Sequence, residues 1–237
     1  MFKEIRKKKK FEEVLDQIKS LLLTKKLKIG QKLPNEIELS ESMGISRSSL
    51  REAFKVLSVL GIIEGRSGEG TIITQANPEN LKSIMSLVAV SRGLDTQELF
   101  EVRTILEKEA VKLTATRRTE NDLQEIQDIL VEMDKHYLSE DDEAQSYYDF
   151  LFHQSIVKAS QNKMLLILME VISDLLGEQI QTTRRELATS PEVLKRFQEE
   201  HWSIYRAIKH KAPEQAKEIM SAHLTYAQME LGLVKEE

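Results

Sequence analysis

Between residues 30 and 73 the chain sets out a short helix, a tight turn, a second helix and a glycine-tipped hairpin, the order of a winged helix-turn-helix. Pro34 ends an extended approach and Asn35 is placed to cap the first helix, with Ile37, Leu39 and Met43 expected to face inward. Gly44 supplies the turn. Ser46 caps the second helix, whose apolar side is spaced as Leu50, Phe54, Leu57, Val59 and Leu60, and Gly61 stops it. Ile62 and Ile63, then Thr71, Ile72 and Ile73, are β-branched runs around Gly65, Gly68 and Gly70, which predicts two strands and a flexible tip.

The first turn of the second helix carries Ser46, Arg47, Ser48, Ser49 and Arg51 on the face left over once the apolar side is buried. Arginine can bond two acceptors of guanine in the major groove, whereas serine hydroxyls and helix N-terminal amides suit phosphate oxygens. Arg47 and Arg51 are therefore expected to read bases and the serines to position the helix. A helix pair of this kind also serves as a plain packing unit; the wing is what favours DNA.

The stretches Leu33-Pro34-x-Glu36, Ser46-Arg47-Ser48-Ser49-Leu50-Arg51-Glu52-Ala53 and Gly68-x-Gly70-Thr71 resemble the GntR family of bacterial transcription regulators. The resemblance implies that Ser46, Arg47, Ser48, Ser49 and Arg51 contact DNA, with Gly68 at the wing tip near the minor groove. Many relatives place a DNA-touching arginine two residues before the leucine matched by Leu39, and this chain has Ile37 there.

The net charge of −5 hides a division: up to Asn77 there are 15 Lys and Arg against 10 Asp and Glu, and beyond it 19 against 29. A +5 segment joined to a −10 segment restores the basic footprint that DNA binding needs to the part expected to bind it. The opening Lys3, Arg6 and Lys7 to Lys10 suit a phosphate-contacting arm or a solvated terminus equally. Phe11-Glu12-Glu13 follows where a signal peptide would need an apolar segment, and the most apolar stretch, Met164 to Ile172, is far shorter than the roughly 20 residues that span a bilayer. With no cysteine and no membrane partner, a cytoplasmic location is expected.

The polar segment QANPEN marks a boundary, giving residues 1–76 as the winged domain and 77–237 as a second domain. Strand signals vanish after it. Helical patterns succeed one another at about 80–90, 96–116, 119–138, 142–160, 162–187, 190–210 and 212–233, with Thr96, Thr119 and Ser190 as expected caps. Leu99, Val102, Leu106 and Leu113 recur along one face. The fold class is mainly α: a winged helix-turn-helix followed by an antiparallel all-helical bundle, which serves binding and dimerisation.

Ionisable residues interrupt the apolar stripes of that bundle. Asp149 and His153 stand four apart on one helix face, His201 opens the face of Ile204, Tyr205 and Ile208, and His223 accompanies Met220 and Leu224. One aspartate and three histidines suit a divalent ion, zinc first, with nickel or manganese accepted by the same donors. The same spacing arises by chance on helical surfaces. The pattern Glu101-x-Arg103-x-x-Leu106-Glu107, Asp149-x-x-Phe152-His153, Ala159-Ser160-x-Asn162, His201-x-x-Ile204-x-x-Ala207-Ile208 and His223-Leu224 resembles the FCD effector domain of the FadR subfamily. The resemblance implies that Asp149, His153, His201 and His223 bind metal together. It also implies that Arg103 meets an acidic effector, where spacing alone offers a salt bridge to Glu107, and that Asn162 lines the same cavity, where a helix cap is the other reading. His136 and His210 match no ligand and are expected at exposed helix ends.

These expectations describe a homodimeric repressor on a pseudopalindromic double-stranded DNA operator, controlled by a small carboxylate effector at a metal-containing site. Two alternatives stay open: a metal-dependent hydrolase, for which no carboxylate stands out as a general base, and a regulator whose metal is purely structural.

Overall fold

The structure, a computed structural model, describes residues 8–136, 142–184 and 191–233. The chain divides into two compact units, Met1–Ile84 and Met85–Glu237. The first holds α1 (Lys10–Leu23), α2 (Glu36–Ser42), α3 (Arg47–Val59) and the strands β1 (Ile63–Arg66) and β2 (Gly70–Ile73). Helix α4 (Pro78–Arg92) runs across the division, so Pro78, Glu79 and Asn80 of the polar link form its first turn. The second unit continues with α5 (Thr96–Arg117), α6 (Glu120–His136), α7 (Asp142–Ala159), α8 (Lys163–Arg184), α9 (Pro191–Lys209) and α10 (Pro213–Glu230).

In the first unit, Asn35 Oδ1 accepts from the amides of Ile37 and Glu38, both at 3.0 Å, and starts α2. Gly44, at φ +63°, makes the turn that only glycine enters without strain. Ser46 Oγ accepts from Ser49 N at 3.2 Å and starts α3, which buries Leu50, Ala53, Phe54 and Leu57 against Val14 and Ile18 of α1. Two expected inward residues turn outward: Ile37 is 50% exposed and Val59 61%. Each lies on the side of its helix away from that core.

Strands β1 and β2 pair antiparallel in the register Ile63 to Ile73 through Arg66 to Gly70, leaving Ser67, Gly68 and Glu69 as the loop. The hairpin is tied to the body on its other edge, where Leu33 N donates to Thr71 O at 2.8 Å and Ile73 N to Gln31 O at 2.9 Å.

The second unit is helical throughout its described residues. Helix α5 packs against α7, α8, α9 and α10, and this central position explains why its buried face departs from the expected one. Phe100, Glu107, Val111 and Thr114 are buried, while Val102 is 42% exposed. Its cap is Asp95 rather than Thr96, with Asp95 Oδ1 accepting from Glu98 N at 2.8 Å. Thr119 caps α6 as expected, accepting from Asp122 N at 3.1 Å, and Ser190 lies outside the described residues. The Thr114 hydroxyl donates to Ile156 O at 2.6 Å and so fixes α7 alongside α5. Among the described residues no helix is long and apolar enough to cross a membrane.

Candidate DNA-reading surface and metal centre

At the start of α3 the hydroxyl of Ser46 lies 2.9 Å from those of both Ser48 and Ser49, a cluster built around the helix cap. Arg47 and Arg51 stand one turn apart on the exposed side, with side chains 53% and 57% accessible. Arg51 Nε donates to Glu36 Oε2 at 2.7 Å, and Arg47 Nη2 lies 3.9 Å from the same oxygen. Gly68 occupies the wing loop at φ +78° with nothing within 4 Å of where a side chain would begin. The surface thus offers two guanidinium groups, three hydroxyls and a side-chain-free tip, a donor set suited to phosphates and base edges. Ile37, where the resemblance led to an expected DNA-touching arginine in relatives, is exposed on this unit.

The second unit brings three of the expected metal ligands into one buried set. Donor atoms of His153, His201 and His223, from α7, α9 and α10, all lie within 4.8 Å of one another, and each residue is no more than 2% exposed. His223 Nε2 and His153 Nε2 are 3.3 Å apart. Asp149, one turn before His153, is 30% exposed at its side chain and places Oδ1 3.5 Å from His201 Nε2 and 3.9 Å from His153 Nε2.

Two carboxylates orient the imidazoles. Glu107 of α5 bonds His153 Nδ1 through Oε2, and Glu200 of α9 bonds His223 Nδ1 at 3.0 Å. An ionised carboxylate can only accept, so in each pair Nδ1 carries the proton and Nε2 presents a lone pair. The two facing Nε2 atoms are then both acceptors, an arrangement that is repulsive unless a cation lies between them. His201 makes the same point, because its buried Nδ1 and Nε2 have no hydrogen-bond partner among the described residues. Nitrogens held about 2.0–2.1 Å from one tetrahedral ion stand roughly 3.3–3.4 Å apart. The residues present fit a divalent metal.

The electrostatics agree. Burial, reinforced by His223, pushes His201 well below the ordinary imidazole value, and burial also lowers His223 against the opposing bond from Glu200. Both are therefore neutral and able to ligate near neutral pH. Burial alone raises Glu107, but the electrostatic attraction of the His153 ring and the Arg103 guanidinium, with the hydrogen bonds from both, outweighs it and brings the carboxyl down to about 2. Arg103 donates to Glu107 Oε1 at 2.5 Å, so one buried carboxylate joins the expected effector arginine to His153, an expected metal ligand.

Asn162 caps α8, its Oδ1 accepting from Met164 N at 3.1 Å and Leu165 N at 3.3 Å, the other role its sequence context offered. His210 is exposed, whereas His136 is half-buried and stacks on Tyr148 with ring centroids 5.2 Å apart. Sequence reasoning missed Glu107 and Glu200 as partners of the histidines. The available signal was a carboxylate on a buried helix face, at Glu107 within the stretch that resembled the FCD domain.

Comparison with known proteins adds identity to this geometry. The family described as "Bacterial regulatory proteins, gntR family" matches residues 10–73, and the FCD domain matches residues 98–226. The chain belongs to the GntR family of bacterial regulators, with the FadR-like pairing of a winged helix-turn-helix and an FCD domain. It is 38% identical over 200 residues to "HTH-type transcriptional regulator LutR" of Bacillus subtilis, covering 84% of this chain and 90% of that protein. It is 31% identical to "Putative L-lactate dehydrogenase operon regulatory protein" of Escherichia coli, covering 91% and 83%. Among solved structures, a Streptococcus agalactiae GntR protein superposes with a TM-score of 0.67 at 28% identity, covering 92% of this chain and 99% of that one. This GntR-family chain is accordingly a transcriptional regulator and not an enzyme. Glu107 and Glu200, the carboxylates beside the histidines, are bonded to Nδ1 atoms and not placed as free general bases.

Proposed function

We propose that this regulator works as a homodimer that represses from a pseudopalindromic operator and releases it when a small 2-hydroxycarboxylate binds the FCD domain. The observation that carries the reading is the buried set of three imidazoles, with Asp149 beside it and Arg103 linked to it through Glu107. His153, His201, His223 and Asp149 would hold zinc, and the ion would supply an electrophilic contact for the oxygens of the effector. Arg103 offers the guanidinium that pairs with the effector's carboxylate. A lactate-like effector is chosen because a relative is named for an L-lactate dehydrogenase operon. On DNA, Arg47 and Arg51 read bases, Ser46, Ser48 and Ser49 contact phosphates, and the Gly68 tip approaches the minor groove. Two half-sites related by protein symmetry supply the discrimination that one short helix cannot.

The test is enrichment of a random duplex pool on the purified protein, followed by titration of L-lactate against the retained site. A two-fold-symmetric sequence, released by L-lactate from the native protein but not from Arg103→Ala, is the expected result. Arg47→Ala should remove sequence preference while leaving metal content intact. Failure to enrich any site, with one metal bound per chain, overturns the reading.

A second reading, a metal that only holds the bundle together, draws on the burial of the three imidazoles and on the bond that already occupies Arg103. It predicts that stripping the metal melts the bundle and that L-lactate leaves operator binding unchanged.

A further inference from the structure

Arg51 is bonded at one edge only. Its Nε donates to Glu36 Oε2 at 2.7 Å, whereas among the described residues Nη1 and Nη2 have no partner and the side chain remains 57% exposed. The bond joins separate elements, because Glu36 is the first residue of α2 and Arg51 lies in the second turn of α3. Bidentate recognition of guanine O6 and N7 uses two adjacent N–H groups of the guanidinium. A carboxylate on Nε leaves the terminal pair available and removes the torsional freedom that an exposed arginine would otherwise lose on binding. Glu36 also stands 3.9 Å from Arg47 Nη2, so the same oxygen sits near both base-reading candidates. Its negative charge beside a phosphate-facing surface opposes non-specific DNA binding, which depends on net positive charge and not on sequence.

We infer that Glu36 is a specificity-determining residue: it positions the Arg51 guanidinium for one base pair of the operator half-site while weakening attachment to other DNA. This rests on the DNA-reading function proposed above. Glu36 itself touches no base in the inference; it acts through Arg51. Two effects of opposite sign follow from one side chain. Loss of the carboxylate frees Arg51, which lowers discrimination, and removes a repulsive charge, which raises affinity for any duplex.

The experiment uses the full-length protein, the operator enriched by the native chain, and a random duplex of equal length. Binding is measured for the native protein, Glu36→Gln, Arg51→Ala and the double variant, with melting curves confirming that each is folded. For Glu36→Gln we expect random-duplex affinity to rise severalfold and the operator-to-random ratio to fall about tenfold, in line with the loss of one well-placed bidentate contact. On operators substituted one base pair at a time, discrimination should collapse at the position where Arg51→Ala also abolishes it and persist elsewhere. The double variant should discriminate no worse than Arg51→Ala alone. Equal changes in operator and random binding, or discrimination lost evenly along the site, would show that Glu36 acts only as a surface charge or a packing element and would overturn the inference. A native protein that prefers no sequence overturns the DNA-reading function and this inference with it; a native protein that discriminates alongside an equally discriminating Glu36→Gln overturns this inference alone.

Discussion

Glu107 shows how one buried residue can serve two functions that sequence spacing separates. It is 1% exposed, receives the Arg103 bond at 2.5 Å, and holds His153 from a position 46 residues earlier in the chain. The i,i+4 relation to Arg103 is visible in the sequence; the contact with α7 is not, because nothing local encodes which helices become neighbours. For the same reason Asp149 and His153 could be paired by spacing, whereas His201 and His223 could be read only as polar interruptions of apolar faces able to converge on the same centre, with the resemblance to a family implying that they do. Carboxylates that orient a ligating imidazole typically contribute 10–100-fold to metal affinity. Glu107→Gln should therefore weaken zinc binding by about that factor in a competition titration with a chromophoric chelator. Glu107→Ala leaves Arg103 buried and uncompensated and should cost about 3–5 kcal/mol of bundle stability. Glu200→Gln, at a side chain 19% exposed, should weaken zinc less. An unaltered affinity in Glu107→Gln would mean that the carboxylate does not hold the ligand.

At the scale of elements, the helices were legible because their ends are written locally. Asn35, Ser46 and Thr119 cap where their types and spacing place them, and most bundle helices begin and end within a few residues of the expected limits. Faces were less legible. Helix α5 is surrounded by four others, so a single apolar stripe does not describe it, and α1 lay upstream of the motif and was not read as an element although Val14 and Ile18 complete the core of the winged unit. Gly61, read only as a stop signal, has a sharper role. At φ +67° an added Cβ would lie 2.7 Å from Asn80 Nδ2 and 3.1 Å from Asn77 N, so α3 can end where it does only without a side chain. Gly61→Ala should destabilise the N-terminal unit by about 2 kcal/mol, combining the left-handed backbone penalty with the contact. In calorimetry of the full chain that is a fall of roughly 10 °C in the transition of this unit. Gly65→Ala, with an ordinary φ and open space around it, should change the stability of the same unit by no more than about 0.5 kcal/mol, a quarter of that effect. Equal shifts for the two variants would refute the steric account of Gly61.

For the whole molecule, regulation requires that the metal, the effector and the operator bias one equilibrium. The segment up to Asn77 carries +5 and the remainder −10, so if the first segment holds the operator, salt should weaken operator binding steeply. Linkage then imposes a quantitative condition. If L-lactate lowers operator affinity by some factor, the operator must lower L-lactate affinity by the same factor, because both are legs of one thermodynamic cycle. A complete switch, from 1:99 to 99:1 occupancy, needs roughly 5.5 kcal/mol of differential binding, about 10⁴-fold; typical allosteric couplings of about 1–3 kcal/mol give graded control. Calorimetric titration of L-lactate into the zinc-loaded protein, free and saturated with operator, should therefore give two dissociation constants whose ratio equals the shift in operator affinity at saturating L-lactate. His201→Ala should lose the metal and bring both ratios to one together, since it removes one of the three imidazoles that form the buried set. A His201→Ala protein that loses the metal yet keeps both ratios at their native value would place the origin of DNA release outside the site formed by Asp149 and the three histidines.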